Sequence, residues 1–370
     1  MYEHTFATRS GDARDAGLDV SRVIALLGII VVNYHGYLNG VEALGTNQTN
    51  PLLRLVDPWN GALVFSPVVF VIVSGIGCAL LTRGARESND AVALTTTRWI
   101  LIRRGMGLLL AGLVFEWIWA GTILPYFGIY FLLAAFVFSW RGRAIAAIAI
   151  ASMISAAALS WWRYQREVDG HSTAWLSPRW VLAPRDLFFR LFIDYTHPVF
   201  PWFAYFCTGL IIGRAWGQFA ERRRLVTAAC AVIAAVVFSV SALALHLSDG
   251  LAQHLLSTDP FRRGILATVG HAAIGVGLVS LVTMIVDKFS TSRWVKATQL
   301  FGASTLTMYV VHALVFNLVI HWLGWIEPAG FDVAALFGLT IWTAMFIASV
   351  AWTKRFGRTP LEVLLRRVGG

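Results

Sequence analysis

Leu18-Asp19-Val20-Ser21-Arg22-Val23-Ile24-Ala25-Leu26-Leu27-Gly28-Ile29-Ile30-Val31-Val32-Asn33-Tyr34-His35 decides how this chain is read. The hydrocarbon core of a bilayer needs about 20 predominantly apolar residues, each adding 1.5 Å of helix. The run 20–40 has that length, and its polar groups gather at its two ends: Asp19 and Arg22 at one, Asn33 and His35 at the other. A polar segment mixed in charge, residues 1–18, precedes it, and nothing there has the pattern of a secretory signal.

The same length recurs along the chain. Further runs at 62–83, 99–120, 122–140, 142–161, 196–216, 225–247, 264–286, 297–323 and 331–353 predict an all-α, polytopic integral membrane helical bundle of about ten transmembrane helices. Only 14% of the residues are charged, against roughly 25% in a soluble domain. With 57% hydrophobic residues in long blocks, a soluble enzyme and a collagen-like chain are both excluded. The net charge of +10 would raise the question of nucleic acid in a soluble protein. Here the cations stand at the ends of apolar runs, as topology determinants do, and no nucleic-acid partner is expected. Cys78, Cys207 and Cys230 are scattered through apolar runs without metal-ligand spacing, so they read as packing residues and no metal is expected. Arginine far outnumbers lysine, which fits a GC-rich bacterial genome.

With the amino terminus in the cytoplasm, cytoplasmic tails and loops hold nineteen Lys and Arg and the opposite loops hold eight. The positive-inside rule therefore predicts two cytoplasmic termini and a multi-pass protein of the cell membrane. The expected organisation is a tail at 1–18, one transmembrane domain at 19–353 and a tail at 354–370. Loop 162–195, rich in Trp and Arg with an amphipathic stretch at 184–193, is expected to lie along the interface or lid a cavity.

Ionisable groups inside apolar runs locate the interior, because one at the bilayer centre costs at least about 2.5–3.5 kcal/mol. Asn33 lies three helical turns beyond Arg22 and shares its face. His35 would point away from Asn33 unless the helix ends near Gly36. Arg103 and Arg104 stand one turn inside the third run, and Glu116, between Phe115 and Trp117, stands near its far end. Thr305, Tyr309 and His312 share one stripe, and His271, Asp194 and His197 complete a set at a common depth on the outer side. These residues predict a polar chamber open to the outside, with an anion-attracting arginine mouth on the cytoplasmic side. Such a layout suits either a group transferase or a proton-coupled transporter or exporter.

Three segments carry a family resemblance. Leu18-Asp19-Val20-Ser21-Arg22 with Asn33-Tyr34, then Trp59-Asn60-Gly61 with Ser74-Gly75, and Tyr195-Thr196-His197-Pro198 with Gly209 and Gly213-Arg214 are similar to motifs of the transmembrane acyltransferase superfamily. Gly302, Ser304-Thr305-Leu306-Thr307-Met308-Tyr309-Val310-Val311-His312 and Phe356-Gly357-Arg358-Thr359-Pro360-Leu361-Glu362 resemble the carboxyl-terminal pattern of YeiB-like bacterial membrane proteins. Within the superfamily the chain resembles most these YeiB-like proteins and the heparan-α-glucosaminide N-acetyltransferases.

The resemblance implies transfer of an acetyl or acyl group from cytoplasmic acyl-CoA, a co-substrate rather than a bound cofactor, to a glycan or small-molecule acceptor across the bilayer. In the heparan acetyltransferases the active histidine lies just ahead of Trp-Asn-Gly, where this chain has Val56-Asp57-Pro58. That leaves two candidate bases: His35, supported by Asp57 or Glu116, and His312. Asn33, Asn60, Tyr309, His271 and His197 are expected to contact the acceptor or the developing oxyanion. Arg22, Arg83, Arg86, Arg103 and Arg104 are expected to hold the donor phosphates. The oligomeric state is not legible.

Overall fold

A computed structural model describes residues 15–39, 65–327 and 331–369. All regular elements among the described residues are helical, in chain order α1 (Ala16–Asn39), α2 (Ser66–Leu81), α3 (Arg83–Ser88), α4 (Ala91–Phe115), α5 (Leu124–Val137), α6 (Gly142–Val168), α7 (Pro184–Phe188) and α8 (Val199–Arg214). There follow α9 (Trp216–Glu221), α10 (Arg223–Ala244), α11 (Gly250–Leu255), α12 (Ile265–Lys288), α13 (Arg293–Gly302), α14 (Thr305–Asn317), α15 (Phe331–Phe356) and α16 (Pro360–Gly369). Among the described residues six helical segments are long and apolar enough to cross a membrane and three shorter ones are also apolar, as fits a multi-pass membrane protein.

Helix α1 lies in the middle of the bundle. Of its apolar window 61% is buried, against 17% for α6 and for α10, whose Ile150, Ile154, Val232 and Val236 face outward as lipid-facing side chains do. Around α1 pack α2, α12, α13, α14 and α15. Helices α2 and α8 form the tightest crossing: a Cβ on Gly75 would run into the Phe206 carbonyl, and one on Gly209 into the Ile72 carbonyl. Small residues allow this approach, which in lipid is a main source of helix association.

Four segments differ from the sequence expectation. The run 297–323 is not one rod: it breaks at Ala303-Ser304 into α13 and α14, where Gly302 packs on the Asp19 backbone so closely that a Cβ would meet it at 2.6 Å. Helix α4 ends at Phe115, so Glu116 is the first residue past the helix rather than a group within it. Helix α6 continues to Val168, shortening the long loop, and α7 is followed by a π turn at Phe189–Ile193. The segment after 353 is no free tail, because α16 folds back against α4 and α14.

Candidate functional site

Local sequence explains why α14 begins where it does. A helix start leaves unpaired N–H groups, and here the carboxylate of Glu362 on α16 accepts from Leu306 N (2.8 Å), Thr307 N (3.1 Å) and Thr307 Oγ1 (2.5 Å). Thr359 Oγ1 donates to the same carboxylate at 2.5 Å. A residue of another helix thus does the work of an N-cap.

Two turns on, α14 presents Tyr309 and His312 to the centre. The Asn33 amide Nδ2 stands 3.4 Å from His312 Nε2, and the Tyr34 hydroxyl donates to the His312 carbonyl at 2.8 Å. His312 is fully buried, walled by Trp119 (ring centroids 5.4 Å), Tyr309 (5.0 Å) and Tyr34 (6.0 Å). Phe316 and Phe337 close the aromatic wall behind Tyr34. Tyr309 is fastened to the α4–α5 turn: its oxygen accepts from Ile123 N at 3.1 Å and shares a hydrogen bond with Thr122 Oγ1, also 3.1 Å.

A second polar group adjoins the first through this turn. Glu116 pairs with Arg190, whose guanidinium lies 3.9 Å from the Tyr195 ring centroid. The Glu116 charge is near enough to act on both Tyr309 and Tyr126. Tyr126 in turn packs 5.8 Å from the His197 ring, while Tyr130 Oη donates to the His197 carbonyl at 2.5 Å. Below lies a hub at Asp194, which accepts from Arg163, Ser177 and Arg263 (2.5 Å for the last) and so ties the loop between α6 and α8 to the bundle. Arg190 balances Glu116 before that carboxylate can support any histidine.

The other sequence candidates are dispersed. His35 is buried with its ring edge-on to Phe331 at 5.4 Å, on a different side of α1 from Asn33. His271 sits against Phe65 and Phe238, its Nε2 3.0 Å from the Thr258 carbonyl, which is the position of a packed structural histidine. Asp57 and Asn60 lie outside the described residues.

At the opposite ends of the helices, Arg86, Arg104 and Arg214 surround Cys78 closely enough for their charges to act on it. Among the described residues no ion pair joins any of the three to a carboxylate. Arg86 Nη2 donates to the Ala79 carbonyl at 2.9 Å, and Arg214 Nη1 to the Trp140 carbonyl at 2.5 Å, so both also terminate helices. Arg22 pairs with the buried Asp19 at 2.7 Å and reaches toward Gly77 on α2. Arg83 is turned outward in an exposed pair with Glu87, and Arg103 donates to the Gly369 carbonyl at 3.2 Å.

Sequence reasoning missed Tyr34, Trp119, Arg214 and Glu362. Tyr34, Arg214 and Glu362 lie in the motif segments without a legible role in a site, and Trp119 looks like ordinary aromatic packing in an apolar run; Glu362 is also an acid spaced three residues after Thr359.

Residues 14–249 match the sequence family described as heparan-alpha-glucosaminide N-acetyltransferase, catalytic. Residues 214–369 match a family described as protein of unknown function (DUF418). No curated protein and no solved structure matches the chain.

Proposed function

The chain belongs to the heparan-alpha-glucosaminide N-acetyltransferase catalytic family, and from that premise we propose that it transfers an acetyl or other acyl group from acyl-CoA to a hydroxyl or amine acceptor at the other end of the bundle. The observation that carries this reading is the buried imidazole of His312 opposite the Asn33 amide, in a bundle where Arg86 on α3, Arg104 on α4 and Arg214 on α8 come near Cys78 without an ion pair to a carboxylate among the described residues. In this proposal the bundle crosses the cell membrane of a bacterium about ten times, both termini are cytoplasmic, and the acceptor is a glycan of the envelope or a secreted small molecule. The distribution of Lys and Arg over the loops supports that orientation.

The chemistry follows from the geometry. Arg86, Arg104 and Arg214, with Arg22 nearby, hold the donor phosphates by charge-assisted hydrogen bonds. Eleven residues of α1 separate Arg22 from Asn33, about 16 Å at 1.5 Å per residue, and the pantetheine arm of the donor bridges that distance. At 3.4 Å the Asn33–His312 contact is at the long end of a hydrogen bond, so an acceptor hydroxyl can take the place of the amide at Nε2. His312 Nε2 removes the acceptor proton, the freed oxygen or nitrogen attacks the thioester carbonyl, and the Asn33 amide donates to the oxyanion. Collapse of the tetrahedral species expels the CoA thiolate, which takes the proton back from the imidazolium. Trp119, Tyr34 and Tyr309 exclude water and fix the ring. His35 is the alternative base, reached if residues 40–64 bring Asp57 to it.

The test is label transfer by the full chain in lipid, using radiolabelled acetyl-CoA and a panel of glycan and amine acceptors. Label in the acceptor, lost by about 100-fold or more in His312→Ala and retained in His35→Ala, is the expected result. Loss in His35→Ala alone reassigns the base. Movement of unmodified acceptor across the bilayer without donor identifies a transporter instead.

A further inference from the structure

Helix α16 has an apolar stripe, Leu361, Leu364, Leu365 and Val368, spaced three and four apart. It faces α4 and α14 but does not close on them. Between the three helices remains a cleft of about 230 Å³ whose lining is almost wholly carbon, running from Gly107 and Val368 at one end to Phe115 and Leu124 at the other, with Val310 as its floor. Along α4 that is eight residues, about 12 Å at 1.5 Å each.

The two ends differ in charge. At the Gly107 end stand Arg103, bonded to the Gly369 carbonyl, and the last-turn Arg367 at the flank of the apolar stripe of α16. The far end is closed by Phe115 and Leu124. The cleft is held open by a fixed wall, because Glu362 anchors α16 to the start of α14 through three hydrogen bonds. A slot one alkyl chain wide, apolar at depth and arginine-rimmed at the surface, has the charge and polarity profile of a lipid standing in one leaflet.

We propose that this cleft is a binding site for an anionic phospholipid of the leaflet at the carboxyl-terminal end of the chain. One acyl chain fills the slot from Val368 to Leu124, and the headgroup phosphate is held by Arg103 and Arg367. These two guanidinium charges favour an anionic over a zwitterionic headgroup by at least about 10-fold. The site does not depend on the acyl-transfer reading.

The experiment uses the delipidated full chain in detergent. Phosphatidylglycerol and phosphatidylcholine of equal chain length are titrated, and retained lipid is counted by native mass spectrometry. One phosphatidylglycerol per chain is expected, at least 10-fold preferred over phosphatidylcholine. Ala111→Phe and Ala111→Trp, two sizes of plug at an exposed position on the cleft, should abolish retention of both lipids, with folding checked by thermal unfolding. Arg103→Gln with Arg367→Gln should remove the headgroup preference while leaving chain binding. Equal retention of the two lipids, or retention unaltered by both plugs in folded protein, overturns the proposal. So does stoichiometric displacement of the lipid by decanoyl-CoA, which would assign the slot to the acyl donor.

Discussion

The two polar ends of the bundle handle charge in opposite ways. On the Asp194 side every buried cation has its counterion: Arg163 and Arg263 converge on Asp194, and Arg190 meets Glu116. Around Cys78, Arg86, Arg104 and Arg214 converge with no carboxylate paired to them among the described residues. A buried charge is costly to leave unmatched, so the matched cluster acts as a fastening, whereas Arg86, Arg104 and Arg214 are only half-buried and in the proposed reading keep their charge for an anion. The contrast teaches that burial of a charge near an apolar helix is a weak signal by itself. What distinguishes a site from a lock is whether the surroundings already neutralise it.

The largest effect should come from breaking the lock. Asp194→Ala leaves Arg163 and Arg263 facing each other and should cost about 3 kcal/mol, read as a clear fall in the detergent melting temperature. Next, Glu362→Ala removes the borrowed cap of α14 and should cost about 1–2 kcal/mol, with acyl transfer falling as well because α14 carries His312. Arg104→Ala separates the two ends of the molecule most sharply. It should leave the melting temperature within about half a kcal/mol of the parent while raising the KM for acyl-CoA about tenfold at similar kcat. A large loss of stability in that variant would place the Cys78 cluster with the fastenings.

The smallest effect concerns His254, on α11 between two long apolar helices. Burial, then the Arg262 charge, pushes its imidazole below the ordinary 6.5, and its Nε2 lies 2.9 Å from Ser160 Oγ. Because the folded state disfavours the proton, its contribution is complete above pH 6.5 and is lost as the pH falls from there through the depressed value. Melting curves should therefore soften slightly between pH 7 and pH 5, and His254→Gln should flatten that dependence.

Much of the bundle is legible in the sequence because hydropathy and helix length are set by the same bilayer. The run beginning at Leu18 becomes α1, and the turn at Gly121 and Pro125 separates α4 from α5. What hydropathy cannot see is a boundary imposed from elsewhere. The break at Ala303-Ser304 is maintained by Glu362, 56 residues from Leu306 in sequence, and no local pattern at 303 announces it. Helix α6 overshoots its apolar run because Arg163, Tyr164, Gln165 and Arg166 are good enough helix residues outside a bilayer. The candidate site divides in the same way. Asn33, Tyr309 and His312 stand out as polar residues in apolar runs, but their meeting across 279 positions is a property of packing. Arg214 is readable as a charge at the end of a run and as part of a motif, but its nearness to Arg86 and Arg104 depends on the α2–α8 crossing.

Helix α14 is fastened at three points, by Glu362 at its start, by the Tyr309 oxygen on Ile123 N and Thr122 Oγ1, and by the Tyr34 hydroxyl on the His312 carbonyl. It therefore behaves as a strut shared by α1 and α16, and in the proposed reaction its imidazole has little freedom to travel toward either reactant. Traffic to that ring then needs release of the Tyr309 bonds that hold the short bend bearing Trp119 and Thr122, while the strut stays still. Spin labels placed on α1 and α16 should keep one separation through the whole catalytic cycle, and a label on the bend should not.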